Sequence, residues 1–254
     1  LSVIPIIWRV NVFDDIDSTN TWLVARAMDE EPEGLVALAR HQSAGRGRLD
    51  RRWEAPKDAS LLTSVLLRRE LRIEDAQLAT AAVALATRSA LVRQSGVRPK
   101  LKWPNDLVVG DKKIGGLLAE ASRSPKKGSY IVVGVGLNLT WPGPPEANGT
   151  CVKDEVGVTL DPRGLLDLVL EELETRCDQL NSPEGRSQLR DEYRGALATM
   201  GRRVRIEQFE RSFEAVATDV TDEGHLIVVS SDGDEMTLVT GDVVHLRTID
   251  EDVS

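Results

Sequence analysis

Two cysteines and three histidines in 254 residues leave this chain few ways to be stapled by disulfides or to hold a metal. Cys151 and Cys177 make no disulfide framework and fit a reducing compartment. His41, His225 and His245 lie far apart, without zinc-like spacing. No apolar run approaches the roughly 20 residues that cross a bilayer. The opening Leu1 to Ile7 is apolar but too short for a signal peptide, and it lacks a basic start. A net charge of −9 and a pI of about 5.0 argue against nucleic acid as a partner, and nothing suggests a membrane partner. These exclusions leave a cytoplasmic globular protein, 29% charged and 41% hydrophobic, large enough for one large domain plus a small one.

Against this acidic background the run Gly45-Arg46-Gly47-Arg48-Leu49-Asp50-Arg51-Arg52-Trp53 puts four arginines, two glycines and a tryptophan into nine residues. Glycine lets a backbone approach an oxyanion closely. Guanidinium groups grip phosphate oxygens bidentately and keep their charge. A tryptophan offers a flat face on which a base can stack. The run reads as a loop that wraps a nucleotide phosphate, with a solvated basic turn as the plainer alternative. A second segment, Leu101-Lys102-Trp103-Pro104-Asn105-Asp106-Leu107, is followed by Lys112-Lys113-Ile114-Gly115-Gly116-Leu117-Leu118. Asn105-Asp106 reads as a tight turn, introduced by Pro104, between apolar strands. Lys102 would then end a buried strand, where a fixed cation can neutralise an anion. Gly115-Gly116 suggests a strand that a ligand or another backbone approaches closely. A lysine-capped hairpin with both glycines in a bulge fits the same residues equally well.

The first two-thirds of the chain alternates helical and strand-like segments, which implies an α/β or α+β layer architecture. Ser18-Thr19 are good caps for a helix over Asn20 to Glu31. Leu35 to His41, Ser60 to Leu67 and Tyr130 to Leu139 read as strands, and Asp75 to Gln94 as a buried helix. Trp141-Pro142-Gly143-Pro144-Pro145 begins a loop, after which Arg163 to Leu180 and Pro183 to Met200 read as helices. From Gly201 onward, short strands are separated by Asp222-Glu223-Gly224 and Ser231-Asp232-Gly233-Asp234, as in a small β-barrel. The expected division is a catalytic domain over 1–200 and a small domain over 201–254.

Five blocks carry a resemblance to the biotin protein ligases. They are Asp17-Ser18-Thr19-Asn20, Gln42 to Trp53, Lys102 to Leu107, Lys113 to Leu118, and Gly134-Val135-Gly136-Leu137-Asn138-Leu139, in the family's order. The resemblance implies an α+β fold, a mixed sheet with helices of the class II synthetase and biotin ligase kind, plus an SH3-like C-terminal β-barrel. It implies a two-step reaction. The biotin carboxylate attacks the α-phosphorus of ATP and expels pyrophosphate; a lysine of a biotin carboxyl carrier protein then takes the biotinyl group. Biotin and ATP are thus the expected substrates, with Mg2+ carried on the ATP phosphates and no metal site in the protein. The carrier would belong to a biotin-dependent carboxylase. Because the first motif begins at Asp17, no room is left for the DNA-binding winged helix of regulatory members, which implies the monofunctional type.

Carried over residue by residue, the resemblance implies that Ser18, Thr19, Asn20 and Gln42 contact biotin, with Gly45, Arg46, Gly47 and Arg48 around its carboxylate and the α-phosphate. Lys102, Gly115 and Gly116 join the biotin set, and Lys102 and Arg46 are the expected catalytic cations. Arg48, Arg51, Trp53, Asn105 and Asn138 are expected on ATP or the adenylate, Trp53 over the adenine. The plainer readings make Ser18-Thr19 a helix cap, Lys102 a surface lysine and Trp53 a core residue. Asp50 stands where many family members have glycine; it adds repulsion toward phosphate and removes backbone freedom. Four like charges and two glycines predict a loop, Arg40 to Trp53, that is mobile when empty and ordered by adenylate. Gly134-Val135-Gly136 is no dinucleotide fingerprint, since Leu139 replaces the third glycine, and no P-loop is present. The rivals are a lipoate ligase or octanoyl transferase of the related family, and a non-enzymatic regulator that binds a small molecule and DNA. The arginine-glycine loop with Lys102-Trp103-Pro104-Asn105-Asp106 favours biotin over lipoate, and the acidic charge weighs against the regulator.

Overall fold

The computed structural model describes residues 5–68, 71–208, 211–239 and 241–245. The opening 1–4 and the last part of the expected small domain, 246–254, lie outside the described residues. The larger sheet is built from β1 (Arg9–Phe13), β2 (Leu35–Ala39), β3 (Ser60–Leu67), β4 (Lys100–Lys102), β5 (Asp106–Val109), β6 (Lys112–Ser124) and β7 (Gly128–Asn138). Its order is β1-β2-β3-β7-β6-β5-β4. β1 and β2 run parallel and the remaining pairs antiparallel, so the sheet is mixed as expected. The helices are α1 (Thr19–Met28), α2 (Ala76–Ser95), α3 (Val152–Val156), α4 (Pro162–Gln179) and α5 (Pro183–Ala196).

Alternation along the central strands sends side chains to two faces. Leu61, Val65 and Leu67 of β3 and Ile131, Val133 and Val135 of β7 join the core with α2 and α4. Leu66, Tyr130 and Val132 lie on the opposite face with Leu23 and Ala27 of α1. α2 is apolar nearly all round and is buried against both the sheet and α4; it stops at Gly96, whose φ of +80° suits glycine. α1 starts at Ser18, whose hydroxyl accepts from the Thr21 N–H at 3.4 Å, and Leu23 anchors it with no exposed surface. Burying such a leucine stabilises by about 2–3 kcal/mol. α5 ends four residues before the expected Met200. Leu197 turns extended there and bridges Leu101, and Ala198 N donates to Leu101 O at 2.7 Å.

The expected barrel is a five-stranded antiparallel sheet of β8 (Arg203–Gln208), β9 (Arg211–Val220), β10 (Leu226–Ser230), β11 (Glu235–Leu238) and β12 (Asp242–His245). Its order is β11-β10-β9-β8-β12, and among the described residues no pairing of β11 with β12 closes it. Trp103 stitches it to the larger sheet. This tryptophan is buried, its Nε1 donates to Gly224 O at 3.1 Å, and its backbone N donates to Thr199 Oγ1 at 3.2 Å. Among the described residues no helix is long and apolar enough to cross a membrane.

Candidate active site

A cleft of about 820 Å³ is floored by the α1-facing side of the larger sheet and walled at one end by β12. Its floor is bare backbone. Strand pairing sets Gly116 beside Gly136, and Gly134 between Leu118 and Ser64. A Cβ on Gly134 would stand 2.2 Å from Asn20 Oδ1, and one on Gly136 would stand 2.4 Å from Trp53 Cε2. Asn20 and Trp53 therefore lie directly on the sheet, and only glycine admits them.

At one end the first turn of α1 presents Thr19 and Asn20 to the floor. Thr19 N and Oγ1 both donate to Gln42 Oε1, at 2.7 and 3.0 Å. The Ser64 hydroxyl lies 2.7 Å from Thr19 Oγ1 and 2.6 Å from Asn20 Oδ1. Asn20 Nδ2 donates to Leu118 O at 3.1 Å and to Glu120 Oε2 at 2.9 Å. Both Asn20 amide protons are thus committed within the protein, beside the other residues expected on biotin, Ser18, Thr19 and Gln42. All four line the cleft, and Ser18 doubles as the helix cap.

Residues 45–53 form a hairpin. Gly47 N donates to Arg51 O at 2.7 Å, Arg51 N to Arg48 O at 3.1 Å and Trp53 N to Gly45 O at 3.0 Å. Leu49 and Asp50 take φ values of +52° and +57°, the pair that a type I′ turn requires. Asp50 is exposed at the tip and does not line the cleft. Its acidic charge is therefore carried away from the site. Nor do the four arginines face one another unpaired, as their crowding in the sequence suggests. Arg46 Nη1 donates to Glu120 Oε1 at 2.7 Å, Arg48 donates to Gly241 O at 3.3 Å, Arg51 pairs with Asp242, and Arg52 donates to Ser43 O at 3.2 Å. Burial pulls the Arg48 guanidinium below the ordinary arginine value, while Asp242 and Asp106 oppose the shift; it stays charged at neutral pH.

Two lysines reach the cleft. Lys102 ends β4, half-buried and paired with Asp106 in the strand ladder, and its ammonium forms no hydrogen bond or ion pair with a described residue. Lys113 was not among the expected site residues. Leu107 pairs with Gly115 and Val108 with Lys113, which leaves Ile114 as an extra residue in β6. That bulge sends Ile114 into the core and brings Lys113 onto the face of Gly116, three residues on, where strict alternation would oppose them. Lys113 Nζ lies 5.7 Å from the Trp53 ring centroid and 2.6 Å from Asp106 Oδ1. The bulge of the lysine-capped hairpin reading falls not at Gly115-Gly116 but one residue earlier. Gly115 faces the core instead, its Cβ position 3.0 Å from Leu137 Cδ1, while Gly45 makes room for Trp53 O; neither lines the cleft.

At the other end, the buried indole N–H of Trp53 has no acceptor among the described residues. Asn105 lines the cleft, with Nδ2 on Leu117 O at 2.6 Å and Oδ1 3.5 Å from Arg48 Nη1. Asn138 spends both amide protons on the loop that follows it, at 3.1 Å to Pro142 O and 3.0 Å to Thr150 O. Asn138 also lines the cleft, and its Oδ1 takes no part in these two bonds. No group of three or more His, Cys, Asp or Glu among the described residues is placed to hold a metal ion.

Such a cleft has the chemistry to seat an anionic ligand with a hydrogen-bonding head and a planar group. The chain belongs to the Biotin/lipoate A/B protein ligase family, whose model matches residues 12–138; the Biotin protein ligase C terminal domain matches residues 199–246. It is 34% identical to the biotin--[acetyl-CoA-carboxylase] ligase of Mycobacterium tuberculosis, over 94% of this chain and 90% of that one. The enzyme of the same name from Paracoccus denitrificans is 30% identical over 84% of this chain and 90% of its own. A solved biotin protein ligase from Aquifex aeolicus, in complex with biotin and ATP, matches 94% of this chain and 99% of its own with a TM-score of 0.77. At 21% identity that likeness speaks for the fold.

Proposed function

We infer that this chain is an ATP-dependent biotin protein ligase that forms biotinyl-5′-AMP and transfers the biotinyl group to a lysine of a carrier protein. The reading rests on one observation above all. One cleft is lined by the hydroxyls and amides of Ser18, Thr19 and Gln42, by the arginine hairpin with Lys102, and by Trp53, which is seated on Gly136 with Lys113 beside it. Gln42, Thr19 and Ser18 suit a ureido group, whose carbonyl accepts and whose N–H groups donate. Trp53 offers its ring to adenine, and Asn105 lines the same cleft.

In the first step a biotin carboxylate oxygen bonds to the α-phosphorus, and the bond to pyrophosphate breaks. Negative charge crowds together there, so fixed cations should dominate catalysis. The Lys102 ammonium carries no competing partner among the described residues, and Arg46 and Arg48 line the same cleft from the hairpin; these are our catalytic cations, with Lys113 and Arg51 toward the nucleotide. Magnesium would arrive on the ATP phosphates. In the second step the carrier lysine attacks the acyl carbon and AMP leaves. The names of the relatives support a biotin-dependent carboxylase as the source of that partner; we assign the transfer to its biotin carboxyl carrier domain and the reaction to the cytoplasm. We take 1–200 as catalytic and 201–254 as the small domain.

Pyrophosphate exchange into ATP tests this, with biotin, lipoate or octanoate supplied separately to the wild type, Lys102→Ala and Lys113→Ala. Exchange driven by biotin and lost in Lys102→Ala is expected. Exchange driven by lipoate would move the chain to the other branch of its family. Exchange intact in Lys102→Ala but lost in Lys113→Ala would transfer the central role to Lys113.

A further inference from the structure

We propose that Glu120 is a positioning residue for adenylation, holding Arg46 where the acid's carboxylate is activated; the proposal rests on the site reading above. Glu120 lies on the site face of β6, two residues beyond Leu118, and belongs to none of the sequence motifs. Its two oxygens are divided between two site residues. Oε1 accepts from Arg46 Nη1 at 2.7 Å, and Oε2 accepts from Asn20 Nδ2 at 2.9 Å. Asn20 Oδ1 meets the Ser64 hydroxyl, that hydroxyl meets the Thr19 hydroxyl, and the Thr19 backbone N–H donates to Gln42 Oε1. An unbroken line of hydrogen bonds thus runs beneath the cleft from Gln42, at the head of the ligand, to Arg46, at its carboxylate. Glu120 supplies the negative charge that ends it.

The chemistry of the two mountings explains the arrangement. Arg46 stands between two glycines on a hairpin, with its side chain about half exposed, so an unrestrained guanidinium would sample many orientations. Glu120 stands on a strand paired with β7 from Gly115 to Ser124, which fixes its backbone. One guanidinium N–H spent on Glu120 leaves the others for an incoming oxyanion. A carboxylate near an anion site also repels the ligand. Here that repulsion is the lesser effect: Glu120 does not line the cleft, and both its oxygens are already occupied by donors.

The test is a double-mutant cycle on the full chain with Glu120→Gln and Arg46→Ala. Glutamine keeps an oxygen for Asn20 but loses the charge that holds Arg46. Single-turnover adenylate formation at saturating biotin and ATP should fall roughly tenfold to a hundredfold in Glu120→Gln, the scale of a misplaced catalytic group. The biotin dissociation constant and the thermal midpoint should stay near wild type, and Glu120→Gln should cost nothing further once Arg46 is alanine. An unchanged rate, a faster rate with tighter ATP binding, a full additional loss in the Arg46→Ala background, or parallel losses of biotin binding and stability would each overturn the proposal. If Arg46→Ala alone adenylates at the wild-type rate, the site reading falls with it; a slow Arg46→Ala beside a silent Glu120→Gln overturns the positioning role alone.

Discussion

Arg51 on the arginine hairpin is ion-paired with Asp242 on β12, so the small sheet grips the loop that crosses the cleft of the large one. Asp242 also lies 3.6 Å from Arg48 Nη1. Arg51 is mostly exposed, and pairs of that kind contribute about 1 kcal/mol at most. Asp242→Ala should therefore raise the hairpin's opening equilibrium by up to roughly fivefold. Tryptic cleavage between Arg46 and Arg52 measures this: it should be faster in the variant than in wild type without ligand, and slow in both with biotin and ATP. Equal rates without ligand would mean that the hairpin's own hydrogen bonds hold it.

Gly134→Ala and Gly136→Ala should separate the two ends of the cleft. The first places a methyl against Asn20 and the second against Trp53. Overpacking of this sort costs about 1–3 kcal/mol, or roughly fivefold to a hundredfold in affinity. Titration calorimetry should find weakened biotin binding with ATP binding nearly intact in Gly134→Ala, and the reverse in Gly136→Ala. The same pattern in both variants would remove the case for two distinct ends.

Asn138→Ala takes two donors from the carbonyls of Pro142 and Thr150, one of them buried with its residue. The loss of hydrogen bonds there costs about 1–3 kcal/mol, and it falls on the loop that walls the nucleotide end. Lys113 and Thr150 are joined to that loop by backbone bonds, Lys113 N to Asn148 O at 3.0 Å and Thr150 N to Lys113 O at 2.9 Å. Their amides should exchange hydrogen faster in the variant, and ATP affinity should drop while biotin affinity holds. Unchanged exchange would assign Asn138 a ligand contact instead of a bracing role.

β3 was legible residue for residue because its apolar run is buried on both faces and bounded by polar turns. The arginine hairpin and the Lys102 strand end were legible for a different reason: their charges and glycines have few other uses. What stayed hidden depends on geometry that no local pattern encodes. Lys113 reaches the cleft only because a bulge at Ile114 resets the alternation. Glu120 and Ser64 are single polar residues in strands, and their partners come from α1 and the hairpin. Asp242 answers a charge 191 positions earlier in the chain. The resemblance implies ligand contacts for Asn20 and Asn138 but not that their amide protons go to Leu118 O and Glu120 and to the carbonyls of Pro142 and Thr150. Residue type identifies a chemical capacity; the fold decides whether that capacity is still free.

Asp75 gives the fold a defined acid limit. It has no exposed surface, yet its carboxylate accepts from Arg186 Nη1 and Nη2 at 2.8 and 3.2 Å, from Arg72 Nη2 at 2.9 Å and from Arg72 N at 2.7 Å, tying the start of α2 to α5. Burial by itself would raise its pKa; the hydrogen bonds from Arg186 and Arg72 overcome this and hold the carboxyl well below the usual carboxylate range. A group whose folded pKa is depressed contributes its full stability above its unfolded value and loses it as pH falls through the folded one. Asp75→Asn should then cost about 3 kcal/mol at pH 7, because Arg186 is left against a neutral amide. The gap between wild type and variant should narrow progressively below about pH 4, where the unfolded carboxylate begins to take up a proton. Urea midpoints of both proteins at pH 7 and pH 3 measure it. A gap of the same size at both pH values would mean that Asp75 acts through its shape and hydrogen bonds and that its charge contributes nothing.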